Sequence, residues 1–164
     1  KNSVHLVGFV GEKKFDDVEI TGLSLFHDSA GGSLRGRNSG YLVKLGEFSI
    51  LHLGDLGHIL DEHTVNIIGS KGRVNVLFIP VGGVYTIDPE NAIVVIQQVN
   101  PNIVIPMHFK HPRHNMGIFG RLSTLDDFLK IAEKNFNVIR HDTNYIEIST
   151  DRLPEKTEIH TLQI

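Results

Sequence analysis

The most informative stretch of this chain is Ile50-Leu51-His52-Leu53-Gly54-Asp55-Leu56-Gly57-His58. An apolar strand pattern ends there in a carboxylate, Asp55, that could bind a metal. Two other apolar runs end in a histidine: Leu23-Ser24-Leu25-Phe26-His27 and Val104-Ile105-Pro106-Met107-His108. In layered α/β folds, the loops that follow strand ends converge over a rigid sheet. Two imidazoles and one carboxylate at such points suit Zn²⁺, Mn²⁺ or iron. The pattern therefore indicates a candidate metal site.

Each of the three signals is weak by itself. A histidine at a strand end, such as His27 or His108, is more often a hydrogen-bonded loop residue than a ligand. Asp55 after Gly54 could belong to an ordinary turn, since aspartate bonds readily to its own backbone. The three become more specific together, because they occur in one order and share a position after apolar runs.

Composition bounds the class of protein. A chain of 164 residues that is 40% apolar fits one domain with a real core. Its net charge of −3 disfavours binding a polynucleotide through bulk charge. The absence of cysteine excludes disulfides and thiolate metal sites. No secretory segment and no apolar run of about 18 residues is evident, so we expect a soluble, cytoplasmic protein with no membrane partner; a homo-oligomer is compatible with the sequence.

The first half of the chain is predicted to consist of strands. The predicted segments are a strand over Ser3 to Val10, a turn over Gly11 to Lys14, a strand over Val18 to Phe26, and a hairpin that joins Gly40 to Leu45 with Phe48 to Leu53.

The second half alternates strands with helices, which indicates a mixed α/β layered domain. We predict helices over Asp61 to Ile68, from Asp88-Pro89-Glu90 to about Val99, and from a capping box at Ser123-Thr124-Leu125-Asp126; buried strands over Val74 to Pro80 and Ile103 to Ile105; and terminal strands around Val138-Ile139 and Tyr145 to Ile148. We expect the second and third helices to lie outside the sheet layers.

In unbroken order, several segments resemble the metallo-β-lactamase superfamily, in particular the small metal-dependent hydrolases similar to the ascorbate-phosphate lactonases. The resemblance covers about Val18 to Leu129. The segments are Phe26-His27-Asp28, the Gly-rich loop that reaches Asn38-Ser39-Gly40-Tyr41, His52 to His58, Pro80-Val81-Gly82-Gly83 and Ile105-Pro106-Met107-His108-Phe109.

The resemblance implies a four-layer αββα sandwich and a site with two divalent ions, zinc in the first instance and manganese or iron as alternatives. It implies that His27 binds the first metal, that Asp55 bridges both metals and is essential for catalysis, and that His108 binds the second. Such a site activates hydroxide at neutral pH for attack on a carbonyl or phosphoryl centre.

The chain departs from the family in one respect. The family's His-x-His-x-Asp-His motif should lie upstream of His27, and nothing here matches it; His5 stands alone among apolar residues and is interpreted as structural. We therefore expect residues 1–164 to form one domain that corresponds to the last two-thirds to three-quarters of such a protein, with the N-terminal part missing. By itself this chain should lack a complete metal site.

Each of the other polar residues near these motifs could have either a functional or a purely structural role. His58 could face the pocket as a substrate contact or proton carrier, and we include it as a catalytic candidate, although an ordinary structural role fits equally well. His52 is expected to be buried and hydrogen-bonded. Five residues could bind an anionic substrate, although solvated loops are the more common case: Arg35, Arg37, His111, Arg113 and His114.

Three functions remain open. The leading hypothesis is a metal-dependent hydrolase of a small molecule, such as a lactone, an amide or a phosphorylated metabolite. The second keeps the fold but hydrolyses a phosphodiester, as the nuclease branches of the superfamily do. The third is a non-catalytic fragment or binding module. The complete gene sequence would discriminate between them, because an upstream His-x-His-x-Asp-His would establish the metal chemistry.

Overall fold

A computed structural model describes residues 7–111 and 117–163. The strands are β1 Gly11–Phe15, β2 Val18–Phe26, β3 Arg37–Leu45, β4 Phe48–His52, β5 Val76–Pro80, β6 Ile103–Met107, β7 Asn137–Arg140 and β8 Glu158–Thr161. The helices are α1 Glu62–Ser70, α2 Pro89–Val99 and α3 Leu125–Ala132, with 3₁₀ turns at Gly117–Arg121 and Thr150–Arg152.

All these strands belong to one sheet, in the order β1-β2-β3-β4-β5-β6-β8-β7. Strands β1 to β4 pair antiparallel, whereas β4, β5, β6, β8 and β7 pair parallel. Because β2 and β4 both run antiparallel to β3, they run in the same direction, and β5 and β6 follow that direction. The carboxyl ends of these four strands therefore lie at one edge of the sheet, which we call the carboxyl edge.

One face of the sheet packs against the three helices. Side chains alternate between the two faces of a strand, so every second residue points toward the helices. The other face carries a smaller cluster of Val76, Ile103 and Ile105, on which Ile148 and Leu153 pack. The core between sheet and helices includes the buried side chains of Leu25, Leu51, Leu77, Val104 and Ile159 from strands and of Ile68, Ile96 and Phe128 from helices.

The predicted α/β class is confirmed, and the described residues supply one sheet and one helical layer. The predicted strand over Val18 to Phe26 and the hairpin that turns at Gly46 are present. Helices α2 and α3 lie against the sheet as expected, since their apolar faces share the core with it.

Local capping explains where the helices begin. Asp61 accepts a hydrogen bond from the Thr64 N–H at 2.7 Å, and Asp88 accepts one from the Asn91 N–H at 2.8 Å. The capping box of α3 lies one residue later than predicted, because Thr124 is the N-cap. Ser123 is held outside the helix, since its N–H donates to the Gly82 carbonyl.

The predicted turn over Gly11 to Lys14 is wrong. These residues belong to β1, and the turn follows at Asp16, which has a φ of 50°. Strand β1 is an edge strand with both faces largely exposed, so it lacks the apolar alternation that reveals a half-buried strand. Of the predicted strand over Ser3 to Val10, residues 7–10 form no strand and residues 3–6 lie outside the described residues.

The carboxyl-terminal strands are also partly wrong. Residues 145–148 form no strand, and the apolar Ile148 packs instead on the face opposite the helices. Strand β8 was not predicted, because Ile159 is its single aliphatic residue and no periodicity shows. The pairing of β8 between β6 and β7 depends on tertiary contacts that this pattern does not encode.

No helix within the described ranges is long and apolar enough to cross a membrane. The cytoplasmic location and the oligomeric state stay predictions.

Candidate metal centre

His27 and Asp55 meet at the carboxyl edge. His27 directly follows β2, Asp55 follows β4 by three residues, and the His27 Nε2 lies 3.1 Å from the Asp55 Oδ2. Two ligand atoms bound tetrahedrally to one zinc ion at 2.0–2.1 Å lie roughly 3.3 Å apart. The separation therefore fits a pair that shares one metal. It also fits a hydrogen bond, which holds the imidazole and the carboxylate together without a cation.

Two imidazole nitrogens near this edge are buried without a hydrogen-bond partner in the described parts of the chain. They are the Nδ1 of His27 and the Nδ1 of His108. Burial of an unsatisfied polar atom costs about 1–3 kcal/mol, so such atoms in a native structure need an explanation. Neutral imidazole nitrogen is a common ligand of zinc. The Nδ1 of His108 is therefore available to a divalent cation, whereas in His27 the atom that contacts Asp55 is the other ring nitrogen, Nε2.

His108 follows β6 in an unusual backbone conformation. Its φ is 53°, in the left-handed region that residues other than glycine seldom adopt. Its carbonyl lies so close to Gly82 that a Cβ on Gly82 would stand 2.0 Å from the carbonyl oxygen. Glycine at position 82 thus allows the loop after β5 to pack against the histidine backbone.

Asn38 fixes the loop that carries Asp55. Its Nδ2 donates to the Leu53 carbonyl at 2.7 Å, and its Oδ1 accepts from the Asp55 N–H at 3.1 Å. Gly54 between them has a φ of 57°, and a Cβ there would lie 2.5 Å from the Asn38 Oδ1. Sequence reasoning did not identify Asn38 as a positioning residue; only its place at the start of β3, opposite the end of β2, hints at it.

Asp28 organises the loop that follows His27. Its side chain is buried and accepts four backbone N–H groups, from Ala30, Gly32, Leu34 and Arg35, at 2.7–3.1 Å. Burial acts to raise the pKa of Asp28, but the four N–H donors outweigh it and hold the pKa below its ordinary value. The loop is therefore built around a charged carboxylate, which the sequence alone did not reveal.

The two ligand loops touch at Gly57. Its N–H donates to the Phe26 carbonyl at 2.9 Å. A Cβ on Gly57 would lie 2.3 Å from the carbonyl carbon of His27 and from the backbone nitrogen of Asp28. Only a residue without a side chain permits this approach, which brings Asp55 next to His27.

His58 makes structural hydrogen bonds in this geometry, and its role as a substrate contact or proton carrier stays a prediction. Its Nε2 accepts from the Phe26 N–H at 3.1 Å, and its Nδ1 donates to the Ile59 carbonyl at 2.7 Å. Both ring nitrogens are thus committed to the backbone, and the ring packs against that of Phe26. Proton transfer through His58 would break one of these bonds.

His52 is hydrogen-bonded as expected but is exposed rather than buried. Its Nδ1 accepts from the Gly54 N–H at 3.0 Å, and its ring stacks on that of Phe78. Partial desolvation lowers the pKa of His52, an effect that the nearby Asp55 carboxylate opposes. His52 therefore supports the turn before Asp55 from the face opposite the helices.

The sheet topology places His27, Asp55 and His108 at the same edge, with direct contact between the first two. Within the described ranges, no group of three or more His, Asp or Glu side chains stands close enough to hold a metal ion. The ligand roles stay predictions.

His5, Arg113 and His114 lie outside the described residues, and His63 is exposed on α1.

Comparison with known proteins identifies the family. Residues 1–108 match the family model of the β-lactamase superfamily domain, so the match ends at His108. A protein from Thermoplasma volcanium named a metal-dependent hydrolase is 33% identical over 100 residues, which are 60% of this chain and 43% of the relative. A protein of the same name from Pyrococcus furiosus is also 33% identical over 100 residues, 60% of this chain and 44% of its own.

Solved structures agree with the sequence match. A crystal structure from Thermotoga maritima, assigned as a zinc-dependent hydrolase of the metallo-β-lactamase superfamily, superposes with a TM-score of 0.72 and 30% identity. The superposition covers 97% of this chain and 73% of that one. A metallo hydrolase from Ignicoccus hospitalis has the same fold, with a TM-score of 0.57 and 24% identity over 78% of this chain and 52% of its own. The chain spans less than half the length of the curated relatives it matches.

Proposed function

The chain belongs to the β-lactamase superfamily, and we propose that this protein is a metal-dependent hydrolase that acts on a small molecule. The observation that carries the proposal is the 3.1 Å contact between the His27 Nε2 and the Asp55 Oδ2 at the carboxyl edge. Among the described residues, the buried Nδ1 of His108 has no hydrogen-bond partner. The names of the relatives, which are metal-dependent hydrolases, support it.

We assign the ligand roles as follows. His27 and Asp55 would hold a first metal, and Asp55 and His108 would hold a second. Two divalent ions, zinc or alternatively manganese or iron, would supply an activated hydroxide at neutral pH and would stabilise negative charge on the substrate. The protein's own contribution is to fix these side chains: Asn38 holds the Asp55 backbone, and Asp28 holds the loop after His27.

The substrate class that we propose is a lactone, an amide or a phosphorylated metabolite. The near-balanced charge of the chain supports a small molecule over a polynucleotide.

The test is metal-dependent hydrolysis by the complete gene product and by its Asp55→Ala variant, assayed against lactone, amide and phosphate-ester panels. Chelation should abolish hydrolysis, and added zinc or manganese should restore it. Asp55→Ala should lower kcat/KM by at least about a hundredfold, because Asp55 is the carboxylate assigned to both metals. His63→Ala, a change on the exposed side of α1, is the matched control and should keep full activity. Hydrolysis that survives chelation or the loss of Asp55 contradicts the proposal.

A further inference from the structure

Arg35 and Tyr85 form a cation–π contact that the metal centre does not explain. The guanidinium carbon of Arg35 lies 5.2 Å from the centroid of the Tyr85 ring. Arg35 is exposed and Tyr85 is half-buried. The backbone N–H of Arg35 donates to the Asp28 carboxylate at 2.7 Å, so the base of the long side chain is fixed. The pair therefore holds a cation in a defined place on the surface.

The backbone on each side of this pair is tied to a ligand loop. The His27 N–H donates at 3.1 Å to the carbonyl of Gly36, the residue after Arg35. The Ile87 N–H, in the loop that carries Tyr85, donates at 2.8 Å to the carbonyl of Leu56, the residue after Asp55. The Arg35–Tyr85 pair thus bridges the loop of one candidate ligand and the loop packed against the other.

The turn that presents Tyr85 is strained. Val84 has a φ of 62°, a conformation that is a genuine outlier for a β-branched residue. The Tyr85 N–H donates to the Gly83 carbonyl at 2.7 Å, which closes a three-residue turn around Val84. Such a turn persists only where its surroundings force it, and strain of this kind concentrates at ligand sites.

Arg35 has no ion-pair partner in the described part of the chain, where no carboxylate stands within 4.0 Å of its guanidinium. A cation–π contact supplies no acceptor oxygen, so it does not replace an anionic partner for the five N–H donors of the guanidinium. Those N–H groups match the oxygens of a carboxylate or a phosphate. The neighbouring Leu34 and Val84 are apolar and exposed, by 73% and 42%, which suits an organic body attached to the anionic group.

We propose that Arg35, held against Tyr85 at the carboxyl edge, binds an anionic group of the substrate, either a carboxylate or a phosphate. This inference rests on the proposed function and narrows it: the substrate is a small organic anion, and Arg35 sets the affinity for it. Arg37 lies two residues away, at the start of β3, and makes no cation–π contact among the described residues. It therefore offers a matched control.

The test measures anion binding directly, without any hydrolysis. Inorganic phosphate and, separately, acetate are titrated into the ¹⁵N-labelled chain at constant ionic strength and without added metal. NMR follows the Arg35 Nε–Hε signal in the wild type and the backbone amide signals of residues 34–37 and 84–86 in every variant. We expect saturable shifts with one anion or both, and the stronger of the two identifies the chemistry. R35Q should weaken binding by roughly tenfold or more, whereas R37Q should leave it unchanged. Y85F should bind like the wild type, and Y85A should bind more weakly.

The absence of saturable binding of either anion by the wild type overturns the inference, as does equal binding by R35Q with an otherwise unchanged spectrum. Unchanged anion binding by Y85A overturns the inference that the contact with Tyr85 holds Arg35 in place. The proposed function fails separately: a complete gene product that binds anions through Arg35 but yields no metal-dependent hydrolysis contradicts the metal chemistry and leaves the anion site standing. A hydrolase with the same KM for anionic substrates in R35Q contradicts the anion site alone.

Discussion

At the residue scale, glycines decide whether the ligand loops can meet. Gly57→Ala places a methyl group 2.3 Å from two backbone atoms of the loop after β2. Because neither atom belongs to a flexible side chain, we expect a loss of about 1–3 kcal/mol in the free energy of unfolding, measured by urea denaturation. Gly69→Ala in α1 is the control: nothing lies within 4 Å of its Cβ position, and it should stabilise by roughly 0.5–1 kcal/mol. Equal effects of the two changes would refute the close approach.

His58 gives a second prediction at this scale. His58→Asn removes the bond from the Phe26 N–H to the ring nitrogen, so the thermal midpoint should fall. Activity per folded molecule should stay near that of the wild type. A general acid or base contributes about a hundredfold or more to the rate. A loss of activity of that size in His58→Asn, at an unchanged folded fraction, would show that His58 acts as a proton carrier.

His160 makes stability depend on pH. Its ring is buried, and desolvation lowers its pKa below the ordinary 6.5, against the opposing effect of Glu158; His141 contributes to the lowering. The His141 Nε2 lies 2.9 Å from the His160 Nδ1. The unfolded chain then takes up a proton more readily than the folded chain, so stability should be full above pH 6.5 and should fall as pH decreases through that value. Unfolding curves of the wild type and of His160→Asn, compared at about pH 7.5 and pH 5.5, check this: the variant should show the smaller loss, and equal losses would count against it.

At the scale of elements, the helix caps could be predicted from the sequence, because each cap depends on residues that are close together along the chain. Asp88 and Pro89 mark the start of α2, and Val99 its end, as predicted. Strands were legible where one face is buried, as in Val18 to Phe26. Strands β1 and β8 were missed, since an exposed edge strand and a strand with one aliphatic residue carry no periodic signal.

The cap of α3 can be tested in the same terms. The Thr124 hydroxyl accepts from the Asp127 N–H at 3.1 Å, and the Asp127 carboxylate accepts from the Thr124 N–H at 3.0 Å. Thr124→Ala should cost about 1 kcal/mol of unfolding free energy, whereas Thr124→Ser should cost little. Thermal denaturation of the two variants measures the difference, and indistinguishable midpoints would show that the cap is not what begins the helix.

At the scale of the whole molecule, the candidate site depends on the topology of the sheet. His27 and Asp55 were identifiable from sequence because each follows an apolar run, and the resemblance gave their order. Their contact across 28 residues of chain, and the supporting roles of Asn38 and Asp28, follow from the pairing of β2, β3 and β4. No sequence pattern encodes those contacts, since they join segments that only folding brings together.

The hypothesis that His27 and Asp55 bind a divalent metal is tested most directly by zinc anomalous scattering. Crystals of the complete gene product and of its Asp55→Ala variant are soaked in zinc in the same way. We expect an anomalous peak about 2.0–2.2 Å from the His27 Nε2 and the Asp55 Oδ2, and its loss in Asp55→Ala. Ordered zinc only at other positions, such as the His141–His160 pair, or a peak at His27 that persists in Asp55→Ala, would contradict it.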